Sequence, residues 1–418
     1  MSTEAPGHES FDPASAVSPV APAEVMTAGR TQQPDRPNLT DAQRRRGLVF
    51  LGLAVAGVGF ALALQLGLNA NFLADEMHVS GMQLGVVEAV RETCGIVAFL
   101  ALALLAGMAE PIIGCVMLVV VALGLGAYSV VPNFTWVVLM SVIWSQGLHI
   151  WMPLPNSMAM AMSEPHRIGH RMGQIQAAAA VGVAVAIVAA LGLTALKVPI
   201  RPLYVLAGGA ALVGAAACLG IPRGVKVPGP RFVIRRQYWR YYLLSFLEGW
   251  RKQMSITFAG FLLVKQYHAP LTHILALSGL VQVVGYFASP RVGRLIDRVG
   301  ERRILTFYYA CLTVLFVGYA VIPSRSVLYG IFVIDSAFFV LGMALSTYVG
   351  RIAPHSERTA TLSMGIACNH VAAVLMPLVS GILWIKFGPQ WAFFIGALAA
   401  VVSIPVVQLL PAKRRLEA

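Results

Sequence analysis

The chain has 418 residues, 58% of them hydrophobic and only 12% charged, with a mean hydropathy of +0.74. Soluble domains carry about 25% charged residues, so a soluble globular protein is excluded, as are a disordered chain, a collagen-like fibre and, with 5 Cys, a disulfide scaffold. The net charge of +13 is the anomaly, because in a soluble chain it would point to nucleic acid.

Residues 1–46 are rich in Pro, Ala, Ser and Thr, have no apolar period, and read as a disordered tail. No signal peptide is expected, since a signal's basic start would lead directly into its apolar stretch. Twelve apolar runs come next, each long enough to cross about 30 Å of hydrocarbon. They occupy residues 47–68, 84–107, 112–131, 134–158, 173–195, 202–221, 239–264, 271–292, 303–322, 326–350, 359–383 and 390–410. The predicted organisation is a six-helix bundle over 47–222, a basic linker over 223–238, a second six-helix bundle over 239–411 and a short tail over 412–418.

Sorting the 31 Lys and Arg by connection resolves the charge. Most fall in the amino-terminal tail, the even-to-odd connections (4–5, 6–7, 8–9, 10–11) and the carboxyl tail. Only Lys197, Arg201, Lys265, Arg325 and Lys386 lie on the opposite face, and only Arg91, Arg251 and Lys252 lie inside helices. Basic loops stay in the cytoplasm, so twelve spans with both termini cytoplasmic account for the distribution. The lipid bilayer is the expected partner, with anionic headgroups beside Arg44, Arg45, Arg46 and residues 231–240. Nucleic acid is not expected. All five Cys fall within predicted helices without metal-site spacing, so no cofactor or metal is expected.

The two halves repeat at an offset of about 190 residues. His78 matches His268, Gly95 matches Gly285, Tyr128 and Pro132 match Tyr319 and Pro323, Gly208 matches Gly396, and Pro222 matches Pro411. Parallel repeats of this kind organise one class of secondary transporter. Between helices 8 and 9 stands G-R-L-I-D-R-V-G-E-R-R, from Gly293 to Arg303. This loop resembles the cytoplasmic signature of the major facilitator superfamily, roughly G-x-L-a-D-r-x-G-r-r. The resemblance implies an all-α membrane protein with the major facilitator fold: twelve transmembrane helices in two pseudo-symmetric six-helix bundles around a central cavity. It further implies a cytoplasmic gate made by Gly293, Asp297, Arg298, Gly300 and Arg302. In that reading Gly293 permits close helix approach, and Asp297 accepts from a helix amino terminus or pairs with Arg298 or Arg302 in one state only. In the first half the aligned loop has Gly107 at the acidic position and no basic residue, so the gate is expected on one side. Helix 4 keeps Gln146 and Gly147 but has Ile143 where the superfamily's proton-coupled antiporters often carry Arg, and residues 177–192 lack Pro. Both departures speak against a typical drug/proton antiporter.

A charge at the bilayer centre costs at least about 2.5–3.5 kcal/mol, so each one needs a reason. In helix 7, Glu248, Arg251, Lys252 and Ser255 follow i, i+3, i+4, i+7 spacing about 14–20 Å into the membrane. They are the first candidates for a substrate and proton cavity. Gln146 and His149 in helix 4, Asp335 in helix 10, and Asn369 and His370 in helix 11 join them, since a buried carboxylate must be protonated or meet a cation. Glu88, Arg91 and Glu92 in helix 2 read equally as a substrate entry or outer gate and as a structural ion pair, and Asn69 and Asn71 at the outer end of helix 1 are candidates to join the rim.

The function expected is secondary active transport of a small-molecule substrate, an organic anion attracted by Arg251 and Lys252, with protons or another coupling ion moved by Glu248 and Asp335. The protein is expected to be a monomer in a bacterial inner membrane. One alternative is an exporter of amphipathic or cationic toxic compounds, with the carboxylates as cation ligands; another is a non-transporting sensor or assembly factor. No P-loop, H-E-x-x-H or G-x-S-x-G pattern is present, so neither ATP-driven transport by this chain nor an enzyme is expected.

Overall fold

The computed structural model describes residues 39–164, 167–227 and 235–411. These residues form twelve helical rods, numbered here in chain order: α1 (Asp41–Glu76), α2 (Gly81–Leu104), α3 (Glu110–Ala127), α4 (Phe134–Met162), α5 (Ile168–Ala195) and α6 (Ile200–Cys218) in the first half. The second half holds α7 (residues 239–265), α8 (Leu271–Val299), α9 (Glu301–Val321), α10 (Arg325–Ile352), α11 (His355–Phe387) and α12 (Gln390–Gln408).

Ten of these rods are long and apolar enough to cross a membrane by length and composition. The other two, α2 and α7, are the pair that carry Arg91, Arg251 and Lys252 together with three glutamates. The chain is thus a multi-pass membrane protein whose two atypical helices carry its three intramembrane basic residues.

α1 starts six residues before the apolar run that marks it in the sequence. The Thr40 hydroxyl accepts from the Gln43 backbone N–H at 3.3 Å, and the Gln43 side chain accepts from the Thr40 backbone N–H at 2.9 Å. This capping box satisfies two of the N–H groups that a helix start leaves unpaired. It carries Arg44, Arg45 and Arg46 on the first turns of α1 instead of in a loop. Of the basic linker, residues 228–234 lie outside the described residues, as do 1–38 and 412–418.

The internal repeat is visible in the backbone. Among the described residues, positive φ occurs at His78 (51°), Gly107 (81°), Lys197 (59°), His268 (49°), Gly300 (90°) and Gly388 (103°). These fall into three pairs, His78/His268, Gly107/Gly300 and Lys197/Gly388, each about 190 residues apart. The turns after α1 and α7 share a hydrogen bond as well: Val79 N–H to Leu73 O at 2.8 Å, and Ala269 N–H to Leu263 O at 3.0 Å. The backbone register corrects one alignment: Gly107 answers Gly300, not Asp297. Both glycines make the left-handed corner between two antiparallel helices. Packing repeats in the same order, with α1 against α5 and α6 as α7 lies against α11 and α12, and α3 against α6 as α9 lies against α12. Close approach depends on small residues: a Cβ on Gly182 would lie 2.0 Å from Ala56 O, and one on Gly57 2.6 Å from Ala210 O.

Between the halves, α2 packs along α11, and α5 meets α8. The approach is closest at one end. Near the ends remote from the basic loops, a Cβ on Gly85 would lie 2.3 Å from Pro377 O, one on Gly81 would strike Trp384, and one on Gly67 would strike Leu275. Asn71 Nδ2 also donates to Ala269 O there, at 3.1 Å. Toward the basic ends, a Cβ on Gly173 of α5 or on Gly285 and Gly293 of α8 would meet nothing within 4 Å. Leu104 and Tyr286 are 87% and 73% exposed at that level. The halves are therefore joined on the face poor in charge and apart on the basic face.

Gly85→Leu is expected to force α2 from α11, at a cost of at least about 1–3 kcal/mol of overpacking. A thermal melt of the purified protein should show a clear fall, while the same change at Gly285 should leave the melting temperature near wild type.

Candidate functional site

The densest polar cluster between the halves is built on α2. Arg91 donates from one Nη to a Glu88 oxygen and, at 3.2 Å, to Glu92 Oε1. Its guanidinium also lies over the Trp144 ring of α4, 5.5 Å from the centroid. The i, i+3 and i, i+1 spacings bring both carboxylates to one cation, and all three side chains are nearly buried, at 13% exposure or less. Such an arrangement is what intramembrane charge requires. The Arg91 Nε has no hydrogen-bond partner.

Partners arrive from three more helices, two of them in the other half or reaching into it. Glu92 Oε2 accepts from His370 Nδ1 of α11 at 3.0 Å. Lys252 of α7 is close enough to act on the same carboxylate electrostatically, and Thr257 of α7 lies against Glu88. On α4, His149 Nδ1 sits 2.8 Å from Ser145 O. A carbonyl only accepts, so Nδ1 carries the proton and the Nε2 lone pair is left available. The Ser145 hydroxyl donates to Arg91 O at 3.2 Å, and the rings of His149 and His370 meet edge to face at 5.2 Å. Gly95 makes this possible, because a Cβ there would lie 2.5 Å from the His370 ring.

Beside the cluster is a partly open recess of about 540 Å³, the solvent at its mouth included, lined by α1, α2, α7, α8 and α10. Its polar lining is Gln65, Asn69, Glu88, Arg91, Thr257 and Ser278. Its mixed lining offers both hydrogen bonds and apolar contact to a small molecule. Asn69 and Arg91, read from the sequence as part of an outer gate, thus line an inter-half cavity. Asn71 stands apart, 4% exposed and bonded to Asp75 Oδ2 at 2.9 Å as well as to Ala269.

The helix 7 group divides. Arg251, 1% exposed, pairs with Glu248 inside the C-terminal half, and its guanidinium lies 4.3 Å from the centroid of Phe339 and 5.3 Å from that of Tyr308. The Tyr308 and Tyr309 hydroxyls donate to the Glu248 carboxylate at 2.8 and 3.4 Å. Ser255 donates to Asp335 Oδ1 at 2.9 Å, and Asp335 is fully buried. None of Glu248, Arg251, Ser255 and Asp335 is in the lining of the 540 Å³ cavity. Lys252 instead acts electrostatically on Glu92 of α2. Residues 251 and 252 are about 100° apart around a helix, and α7 passes into a π-helical segment at Met254–Ala259 that further rotates the residues beyond it. The single face read from the spacing is therefore two faces. Asn369 braces α11 on α7 by donating to Ser245 O at 3.3 Å, and Gln146 is half-buried on α4.

At the basic ends, Asp297 is 76% exposed and meets Arg351 of α10 at 3.4 Å, in place of the expected Arg298 or Arg302. Arg351 also pairs with the buried Glu301 at 2.5 Å, and Arg302 donates to Gln408 of α12 at 2.7 Å. Gly300 supplies the corner. Gly293 faces open space, so the close approach expected of it is not made in this arrangement.

Sequence reasoning gave no site role to Gly95, Thr257, Tyr308, Tyr309, Phe339, Arg351 or Glu301. Each acts across helices, and nothing in its own segment marks it.

Two six-helix halves related by a parallel repeat, joined at one end and enclosing a polar cavity, are the architecture of a transporter. The chain belongs to the Major Facilitator Superfamily, whose sequence profile matches residues 49–348 and again 241–417. No curated protein gives a significant sequence match. Among solved structures, the nucleoside transporter NupG is similar with a TM-score of 0.70 at 15% identity, over 88% of this chain and 98% of that one. A bacterial homologue of the human lysosomal transporter Spinster, in an inward-facing and occupied conformation, gives 0.67 at 13% identity over 89% and 97%. A mutant of the peptide transporter POT gives 0.68 at 12% identity over 88% and 94%. At these identities the likeness is one of fold.

Removing Arg91 strands two buried carboxylates. Arg91→Ala is expected to cost about 3–5 kcal/mol, and adding Glu88→Gln should recover a large part. A double-mutant cycle on thermal or denaturant stability measures the coupling.

Proposed function

We propose that the protein is a secondary active transporter that carries a small organic solute bearing an acidic group, coupled to protons, by alternating access. The observation that carries this reading is Arg91: a nearly buried guanidinium that lines the inter-half cavity with its Nε unpartnered. Arg's planar fork suits a carboxylate or phosphate. A solute acid taking Arg91 would release Glu88, and a carboxylate 2% exposed without its cation takes up a proton. Substrate and proton are thereby linked at one cation. Lys252 beside Glu92 provides a second such exchange on the opposite half. Solved structures of similar fold named as nucleoside and peptide transporters support a polar cargo of this size.

In this reading Glu248, Arg251 and Asp335 hold α7 within its own half and do not touch the solute. The membrane is a bacterial inner membrane with the basic face and both termini in the cytoplasm, which makes the present arrangement inward-open. Asp297, Glu301 and Arg351 then tie α8, α9 and α10 together at the open face. Gly293 waits to receive the other half on closure.

A thermal-shift screen of the purified protein against small carboxylates, phosphates and organic amines tests the sign of the site, with the acids expected to stabilise. With the acid so found, Arg91→Ala in proteoliposomes should lower uptake at least about tenfold. Glu88→Gln should retain solute exchange and lose proton-driven accumulation. Stabilisation by amines alone, or wild-type uptake by Arg91→Ala, would overturn the assignment, the former in favour of a cation exporter.

A further inference from the structure

Glu92, His149 and His370 come from α2, α4 and α11, and one ligand atom of each lies within 4.8 Å of the other two. We propose that these three side chains form a binding site for a divalent transition metal ion, zinc in the first instance, that bridges the two halves. Zinc is held by imidazole nitrogens and carboxylate oxygens at about 2.0–2.2 Å, which sets neighbouring ligand atoms on a tetrahedron about 3.3–3.5 Å apart. Contracting the present triangle to that size takes shifts of about an ångström, within reach of ring rotation. Two imidazoles and one carboxylate, with one position open, is a recurrent zinc donor set.

Three observations point to a ligand. The His149 Nδ1–H is committed to Ser145 O at 2.8 Å, which fixes the ring and frees Nε2, the outer-shell arrangement that metal-binding histidines use. His370 sits over a glycine, so its ring reaches α2 without obstruction. Glu92 is 4% exposed yet holds Arg91 only through a 3.2 Å contact, the Arg91 guanidinium being directed mainly to Glu88. A metal ion can therefore take Glu92 while Arg91 stays neutralised by Glu88. Arg91 and Lys252 remain as the nearby cations, and they favour an anionic water or hydroxide at the open fourth position.

Two ligands belong to the first half and His370 to the second, so the ion would clamp the halves in the arrangement described here. This inference does not rest on the identity of the transported solute. The experiment is calorimetric titration of the metal-stripped, full-length protein in detergent with zinc chloride, beside thermal melts and cobalt(II) absorption spectra. One ion per chain, a raised melting temperature and the visible absorption of tetrahedral cobalt are expected, with affinity falling at least about tenfold in both His149→Ala and His370→Gln. The melt of each variant without metal checks that it is folded. No metal-dependent heat, or an affinity unchanged in both folded variants, would overturn the proposal. Zinc binding that survives loss of acid-dependent uptake separates this site from the transport reading, and its failure leaves that reading standing.

Discussion

Arg91 is a cation with only 13% of its side chain exposed, and how the two halves meet turns on keeping it neutral. A lone charge at this depth is unfavourable enough that the surrounding helices must supply its partners. Its own helix gives Glu88 and Glu92, whose combined charge exceeds what one guanidinium needs. The excess is what draws α7 and α11 across the divide, through Lys252 and the His370 N–H. The C-terminal half answers the same need differently: Arg251 is matched by Glu248 and roofed by Phe339 and Tyr308, all within one half. One cluster is shared between the two halves, the other lies within one of them. Only a shared cluster can be made and broken as those halves rock.

How much of this was legible in the sequence depends on which physical signals are local. Twelve runs long enough for the bilayer, the basic loops and the repeat are all local or periodic, and the structure has twelve rods and a backbone that repeats to the level of matching left-handed residues at His78 and His268. The distance of each charged residue along its helix was legible as well, since rise per residue is fixed. The direction in which each points was not. Arg251 and Lys252 stand side by side in sequence and face opposite partners, and the π-helical segment at Met254–Ala259 adds a rotation that spacing does not reveal. The reading of α2 as a peripheral gate has the same origin: the packing of α11 onto α2 turns a shallow-looking cluster into an inter-half one.

The departures from the repeat carry information that its matches do not. Gly95 and Gly285 are equivalent by sequence, yet a Cβ on the first would strike His370 while one on the second meets open space. The contact of α2 with α11 thus extends to the depth of Glu92, while α8 has already parted from α5 at the equivalent level. The corners differ in the same manner. Glu110 and Glu301 are buried carboxylates at the starts of α3 and α9, but Glu110 accepts from the Ser157 hydroxyl at 2.5 Å and Glu301 forms an ion pair with the Arg351 guanidinium at the same distance. A neutral donor on one side and a full cation on the other mean that the two corners hold with different strength and different sensitivity to salt.

Such asymmetry has a consequence for motion. If both halves were built alike, the two seams, α2 with α11 and α5 with α8, would open and close together with equal resistance. Here the polar network lies along the first seam, and small or apolar residues line the second, where Gly279 sits 3.3 Å from Ile187 by its would-be Cβ. An apolar seam separates without stranding polar groups, whereas the first seam strands Glu92 and His370 unless something replaces their contacts. A solute acid, a proton or a metal ion are the chemical species able to do so. The seam that holds the charges is therefore where occupancy can be converted into a change of state.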